Sequence, residues 1–352
     1  MNRFIGLDGH SSSCTFAVLS EKGKTLRTDV VETNGQSLVE YLRLIPGRLH
    51  LCLEEGTQSQ WLFELLAPHT HEIAVVSGEK NQGDKSDEGD ALGLAERIRT
   101  GALGAKIFKA PITFTSVRDL ARAYGMVTGD VVRTKNRIKS FYRSRGVQPG
   151  AGNAVYSVGR REEELKRFSG GTRQSVQLLC GELDILEAIK ADAQQALVAE
   201  AHKHSIAKVL ETAPGLGPVR VAQLLSIVVS PHRFRTSRQF WAYCGLAIVM
   251  RSSSDWVQQP NSQWMKAPVT RTRGLNRNFN RTAKAVFKGA ATTVITQLPK
   301  NPLYSNYRRL LQEKVKPNLA KLTIARKIAA ITLAIWKNKE AYDPAKYQKK
   351  IA

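Results

Sequence analysis

The sequence predicts a mixed α/β domain, then a helical or coiled-coil connecting region, then a mainly α C-terminal domain. Three observations carry this. Over the first hundred or so residues, short apolar runs of strand length alternate with helical patterns. From about residue 116 the texture changes to long, charged helices. A third segment opens at a glycine-rich turn near 213. A chain of 352 residues has room for two or three domains with real cores.

In order, 4–7 reads as a strand ending at Asp8, and 15–19 and 26–31 as two more strands joined by a turn at 21–24. A helix over 37–44 leads to a strand over 49–53, which ends at Glu54 and Glu55. A helix begins at 61–66, a strand follows over 73–76, and a helix over 87–99 is closed by Gly101. Three meandering strands followed by alternating helices and strands match the order of the ribonuclease H-like fold. Residues 117–145 carry apolar positions at helical spacing beside many Arg and Lys, and 162–203 is a longer helical stretch broken near 169–171. Beyond 213 the pattern gives a helix over 219–227, a helix end at 240–245, a polar stretch over 251–272, and helices over 279–295 and 319–336. The expected domains are 1–112, 113–205 and 206–352.

Charge narrows the function. With 53 Lys and Arg against 30 Asp and Glu, the formal net charge is +23, a surface that attracts polyanions, of which nucleic acid is the commonest. The four cysteines (Cys14, Cys52, Cys180 and Cys244) form no CxxC pair, and the paired histidines His69/His71 and His202/His204 have no metal-ligand pattern around them. Neither a disulfide framework nor a zinc site is expected. No apolar run approaches the ~18 residues of a membrane span, so no membrane partner is expected and the expected location is the cytoplasm.

Acidic residues supply the candidate chemistry. Asp8 and Glu54 end two strands, and the carboxyl ends of neighbouring parallel strands face one crevice. Asp87 and Asp90, in KSDEGDA over 85–91, are i,i+3 neighbours on one face of a first helical turn. Like-charged carboxylates 4 Å apart cost roughly 4 kcal/mol per pair at an effective dielectric of about 20. A divalent cation removes that cost, and all-oxygen ligands favour Mg²⁺ or Mn²⁺. The plainer alternative is capping and surface acids, which helix N-termini favour on their own. Glu54 follows the apolar run directly and is preferred. Glu55 is the alternative.

Further along, PGLG over 214–217 resembles a helix–hairpin–helix turn whose Gly215 and Gly217 amides can hold a phosphate, or else it is a tight helix connection. RSSSD over 251–255 holds a candidate nucleophile, Ser253, which needs activation by a base, a metal or clustered cations such as Arg251, Arg271 and Arg273. In TRGLNRNFNR over 272–281, Asn276, Arg277 and Arg281 suit phosphate and base-edge contacts, while Asn276 or Asn278 would also cap a helix.

Taken together, IGLDGH (5–10), LEEGT (53–57) with Trp61 and Leu62, and DKSDEGDA (84–91) resemble the DEDD domain of the insertion-sequence-110 transposase family. APGLG (213–217), YCGL (243–246), RSSSD (251–255) and RGLN (273–276) resemble its C-terminal transposase domain. The resemblance spans nearly the whole chain in the family's order. It implies a RuvC-like domain with Asp8, Glu54, Asp87 and Asp90 as a metal-binding catalytic tetrad, a helical arm, and a nucleophilic serine matching Ser253. It also implies donor and target DNA as partners, a non-coding bridge RNA as guide, dimers that assemble into tetramers, and a nucleoid-associated location. Related invertases flip DNA segments the same way. Two departures stand out: many relatives have Ser-Gly where this chain has Ser253-Ser254, leaving Ser252 as an alternative, and Glu-x-Thr-Gly where it has Glu54-Glu-Gly-Thr57. The rival readings are a RuvC-like nuclease or resolvase in which metals activate water, and a non-catalytic basic nucleic-acid-binding protein.

Overall fold

A computed structural model describes residues 1–78, 86–109, 112–150, 154–251, 256–266 and 271–346. The chain forms two compact units, Met1–Thr113 and Phe114–Ala352.

The first unit is built on strands β1 (Asn2–Gly9), β2 (Ser13–Leu19) and β3 (Thr25–Glu32), helix α1 (Gly35–Arg43), β4 (Arg48–Glu54), α2 (Ser59–Leu66), β5 (Glu72–Val76) and α3 (Asp87–Thr100). The five strands make one sheet in the order β3-β2-β1-β4-β5. β1, β2 and β3 pair antiparallel as a meander, whereas β1, β4 and β5 run parallel, so the ends of β1 and β4 emerge side by side.

Alternation along the strands assigns the two faces. Ile5, Leu7, Phe16, Val18, Leu51, Leu53 and Val75 pack with Leu38, Leu42, Leu62 and Leu66 of α1 and α2. The opposite face carries Cys52, Ala74 and Val76 against Leu94 and Ile98 of α3. Gly6 lies on this second face, and a β-carbon there would fall 1.8 Å from the Ala91 carbonyl oxygen and 2.6 Å from the Ala95 nitrogen. Glycine is required for α3 to lie directly on β1. Asp8, two residues further along the same face, therefore points toward the start of α3.

The second unit is mainly helical: α4 (Thr115–Ser144), α5 (Val158–Leu165), α6 (Gly170–His202), α7 (Ser205–Glu211), α8 (Pro218–Val228) and α9 (Ser237–Tyr243), followed after the strands described next by α10 (Arg281–Gln297), α11 (Pro302–Gln312) and α12 (Pro317–Asn338). Helices α4 and α6, about 45–50 Å long at 1.5 Å per residue, form an antiparallel hairpin around Val131, Ile138, Tyr142, Val176, Cys180 and Leu183. Lys135 pairs with Glu187 at 2.6 Å, and Thr134 donates to Glu182 at 3.1 Å. The break expected at 169–171 is the start of α6.

The polar stretch over 251–272 holds strands where the sequence showed no alternation. β6 (Ile248–Arg251) pairs antiparallel with β9 (Arg271–Leu275), and β7 (Trp256–Gln258) with β8 (Trp264–Lys266). Met250 faces Thr272 and Arg251 faces Arg271 in one ladder, while Trp256 faces Lys266 in the other. The two ladders are separate two-stranded sheets among the described residues.

All four cysteines are buried and free. Burial pushes the Cys52 thiol up to about 11. Among the described residues no helix is long and apolar enough to cross a membrane.

Candidate active site

At the carboxyl end of β1, Asp8 is mostly covered, with 14% of its side chain exposed. His10, beyond the strand end, places Nε2 3.1 Å from Asp8 Oδ2 and 3.4 Å from Asp87 Oδ1. Asp87 opens α3, where Ser86 is the N-cap and its Oγ accepts from the Gly89 amide at 3.1 Å. Asp87, Glu88 and Asp90 fill the first turn, where the helix dipole favours negative charge. One ligand atom each from Asp8, His10 and Asp87 fall within 4.8 Å of one another.

Electrostatics mark the same spot. Burial raises the Asp8 carboxyl above its ordinary value, and the negative charges of Asp87 and Asp90 push it further, against the opposing pull of His10. A carboxylate disfavoured by its own surroundings is stabilised by a nearby cation. Hard carboxylate oxygens such as those of Asp8 and Asp87 favour Mg²⁺ or Mn²⁺.

Glu54 follows Cys52 on the α3 face of β4. It lines a cleft of about 400 Å³ with Gly89, Asp90, Glu96 and Arg97, and a smaller one of about 90 Å³ with Asp8, Gly9 and Glu55. Glu54 and Asp90 thus border the Asp8–His10–Asp87 cluster without being part of it. Glu55 is held elsewhere: it forms an ion pair with Lys109 and accepts from Ser59 Oγ at 3.1 Å, and Lys109 also donates to Ser59 Oγ at 2.7 Å. His10 was missed as a site residue by the sequence reading, although its position two residues after Asp8 was the available signal.

In the second unit, the Ser252 and Ser253 candidates lie outside the described residues. Their flanks are β6 and β7, and the motifs on either side build the socket of this ribbon. Gly245 of YCGL has φ 63°, and a β-carbon there would meet the Phe279 ring at 2.5 Å. The Leu246 amide donates to the Trp241 carbonyl at 2.8 Å, the Asn276 amide to Ala247 at 3.2 Å, and the Asn280 amide to Tyr243 at 2.8 Å. From α12, Arg326 Nε donates to the Leu246 carbonyl at 2.6 Å, and Trp241 Nε1 returns a bond to the Arg326 carbonyl at 2.9 Å.

Asn276 folds its own turn, its Oδ1 accepting from the Asn278 amide at 3.1 Å, and the cap of α10 is Asn280 rather than Asn276 or Asn278. Asn276 and Arg277 line a cleft of about 440 Å³ with Val249 and Leu275 at the foot of the ribbon. Arg281 is exposed at the start of α10. Gly215 packs on the Ala290 carbonyl, which accounts for that glycine by close approach, and Gly217 is the N-cap of α8. Arg251, Arg271 and Arg273 stand on β6 and β9.

A mixed α/β unit with acids gathered at its strand ends, joined to a mainly helical unit, is compatible with a DEDD nuclease-like domain and its companion. Residues 5–144 match the DEDD transposase domain of the IS110 type, described as Transposase, and residues 207–300 match the Transposase IS116/IS110/IS902 family. Both matches are to IS110-type transposase domains, and together they support a DNA transposase or recombinase enzyme. The DEDD transposase family typically uses a divalent metal, and transposases bind DNA. No curated protein matches the chain.

Proposed function

We propose that this chain is a DNA recombinase with a ribonuclease H-like, RuvC-type metal site formed by Asp8, Glu54, Asp87 and Asp90, and with Ser253 as nucleophile. The observation that carries the reading is the Asp8–His10–Asp87 cluster, within 4.8 Å, with Asp8 and Glu54 lining one small cleft and Glu54 and Asp90 lining another. The strand order β3-β2-β1-β4-β5 supports the fold assignment.

Asp8 and Asp87 would hold Mg²⁺ or Mn²⁺ with Glu54 and Asp90 alongside, and His10 would orient the first two carboxylates. Such an ion would offset the clustered negative charge and supply Lewis-acid polarisation of a phosphodiester. Ser253 Oγ attacks phosphorus and forms a phosphoserine bond, while the displaced strand end leaves as a hydroxyl and takes the serine proton. Attack by a strand-end hydroxyl reverses the step and restores the serine, so bond energy is conserved and no ATP is needed. Basic residues of the second unit, Arg251, Arg271, Arg273, Arg277 and Arg281 among them, grip the backbones of donor and target DNA and of a guide RNA. The working assembly is a dimer that pairs into a tetramer, located with the nucleoid, and it either moves an element or inverts a segment.

Trapping tests this directly. Wild type and Ser252→Ala should yield a denaturant-stable protein–DNA adduct in Mg²⁺, and Ser253→Ala and Asp8→Ala should not. Metal-dependent cleavage that survives Ser253→Ala would replace the serine step with hydrolysis, as in a plain nuclease. Recombination that survives Asp8→Ala would remove the metal site.

A further inference from the structure

The β7–β8 hairpin carries exposed apolar side chains on both faces. Trp256 and Trp264 are 56% and 60% exposed, and Val257 and Met265 are 45% and 56% exposed. A two-stranded hairpin has no core of its own to justify this. Register sorts the four side chains. Val257 faces Met265, and Gln258 faces Trp264. Trp256 shares a face with Gln258, two residues on, and therefore with Trp264.

The two indoles are thus diagonal neighbours on one face, a relation that sets such residues roughly 7–8 Å apart. That gap is about twice the base-stacking rise of roughly 3.4 Å, so it admits one flat ring between the two. Chain connectivity adds a second constraint. Trp256 is three residues beyond Ser253, and three residues span at most about 11 Å, so the indoles cannot be far from the proposed nucleophile. Charge adds a third: residues 248–275 hold four basic residues (Arg251, Lys266, Arg271 and Arg273) against one acid, Asp255.

We propose that Trp256 and Trp264 form a clamp that stacks on an unpaired DNA base beside the cleaved phosphate. A paired duplex offers no free base faces. Strand exchange exposes them at the break, where an aromatic pair on a basic ribbon holds the loose end by stacking and by backbone attraction. Val257 and Met265, on the reverse face, lie against the neighbouring apolar edge of the opened helix. The location of the clamp beside the reaction rests on the Ser253 reading, but its affinity for single strands does not.

Fluorescence anisotropy with the full-length protein tests this, using labelled oligothymidylate, oligouridylate and a duplex of mixed sequence. Trp256→Ala and Trp264→Ala should each weaken oligothymidylate binding about 5- to 100-fold, as expected for one lost stacking partner, leave duplex binding unchanged, and keep the wild-type melting temperature. Trp256→Phe should recover most of the loss. Weakening on oligothymidylate supports the clamp whether or not oligouridylate follows, because stacking reads the base. Unchanged oligothymidylate affinity, equal loss on the duplex, or loss on oligouridylate alone would overturn it. Asp8→Ala and Ser253→Ala should abolish cleavage yet bind oligothymidylate like wild type, so the two readings fail separately.

Discussion

The Ala91 carbonyl oxygen of α3 stands 1.8 Å from the position a β-carbon on Gly6 would occupy. No side chain fits between this strand and this helix, so the start of α3 is set directly by β1. Gly6→Ala should lift the helix, draw Asp87 and Asp90 away from Asp8, and lower metal-dependent cleavage at least tenfold. The overpacking cost is about 1–3 kcal/mol. Melting curves and a nicking assay on supercoiled DNA check both, and wild-type cleavage with wild-type stability would contradict the packing argument.

Adjacent glutamates should separate cleanly. Glu54→Gln is expected to abolish cleavage with little change in stability, because this carboxylate faces the cleft. Glu55→Gln is expected to keep cleavage but cost about 1–3 kcal/mol, because it strands the Lys109 ammonium, which is only 6% exposed. Urea melts of both variants beside a cleavage assay decide the matter, and interchanged phenotypes would reverse the assignment.

Acidity gives a third test. The Asp8 carboxyl titrates above its ordinary 3.8 in the folded chain, chiefly through burial. The folded state then binds the proton more tightly than the unfolded state. The ionised group therefore opposes folding above its folded pKa, and the opposition fades as pH falls through that value. In EDTA at neutral pH, Asp8→Asn should melt higher than wild type, with the difference closing in acid. Saturating Mg²⁺ should reverse the order. A variant that melts lower in EDTA would show that His10, rather than burial, dominates at Asp8.

Much of this arrangement was legible in the sequence. The strand ends at Asp8 and Glu54 and the helix start at Asp87 follow from apolar periodicity and from the acids of a first helical turn. The Glu54/Glu55 ambiguity was not resolvable there, since it depends on Lys109, a partner more than fifty residues away. His10 is marked in the sequence only by its place two residues after Asp8. The ribbon was invisible for a different reason: β7 and β8 have three residues each and are exposed on both faces, so neither burial nor alternation marks them.

The socket of that ribbon yields a fourth prediction. Gly245→Ala places a side chain at φ 63° and against the Phe279 ring, which should cost about 1–3 kcal/mol. Trp241→Phe, which loses the indole bond to Arg326, should cost about 1 kcal/mol. In both variants, amide hydrogen exchange should speed up at 248–251 ahead of the α4–α6 hairpin. Uniform acceleration would mean that the socket is not a separate local unit.

The faces of the β7–β8 hairpin depend on one register, Trp256 opposite Lys266, Val257 opposite Met265 and Gln258 opposite Trp264. A slip of one residue between these two strands would turn every side chain of one of them to the opposite face, parting the two tryptophans. Insertions compatible with activity belong at the tip, around Pro260 and Asn261, where lengthening the hairpin leaves everything beneath it in place.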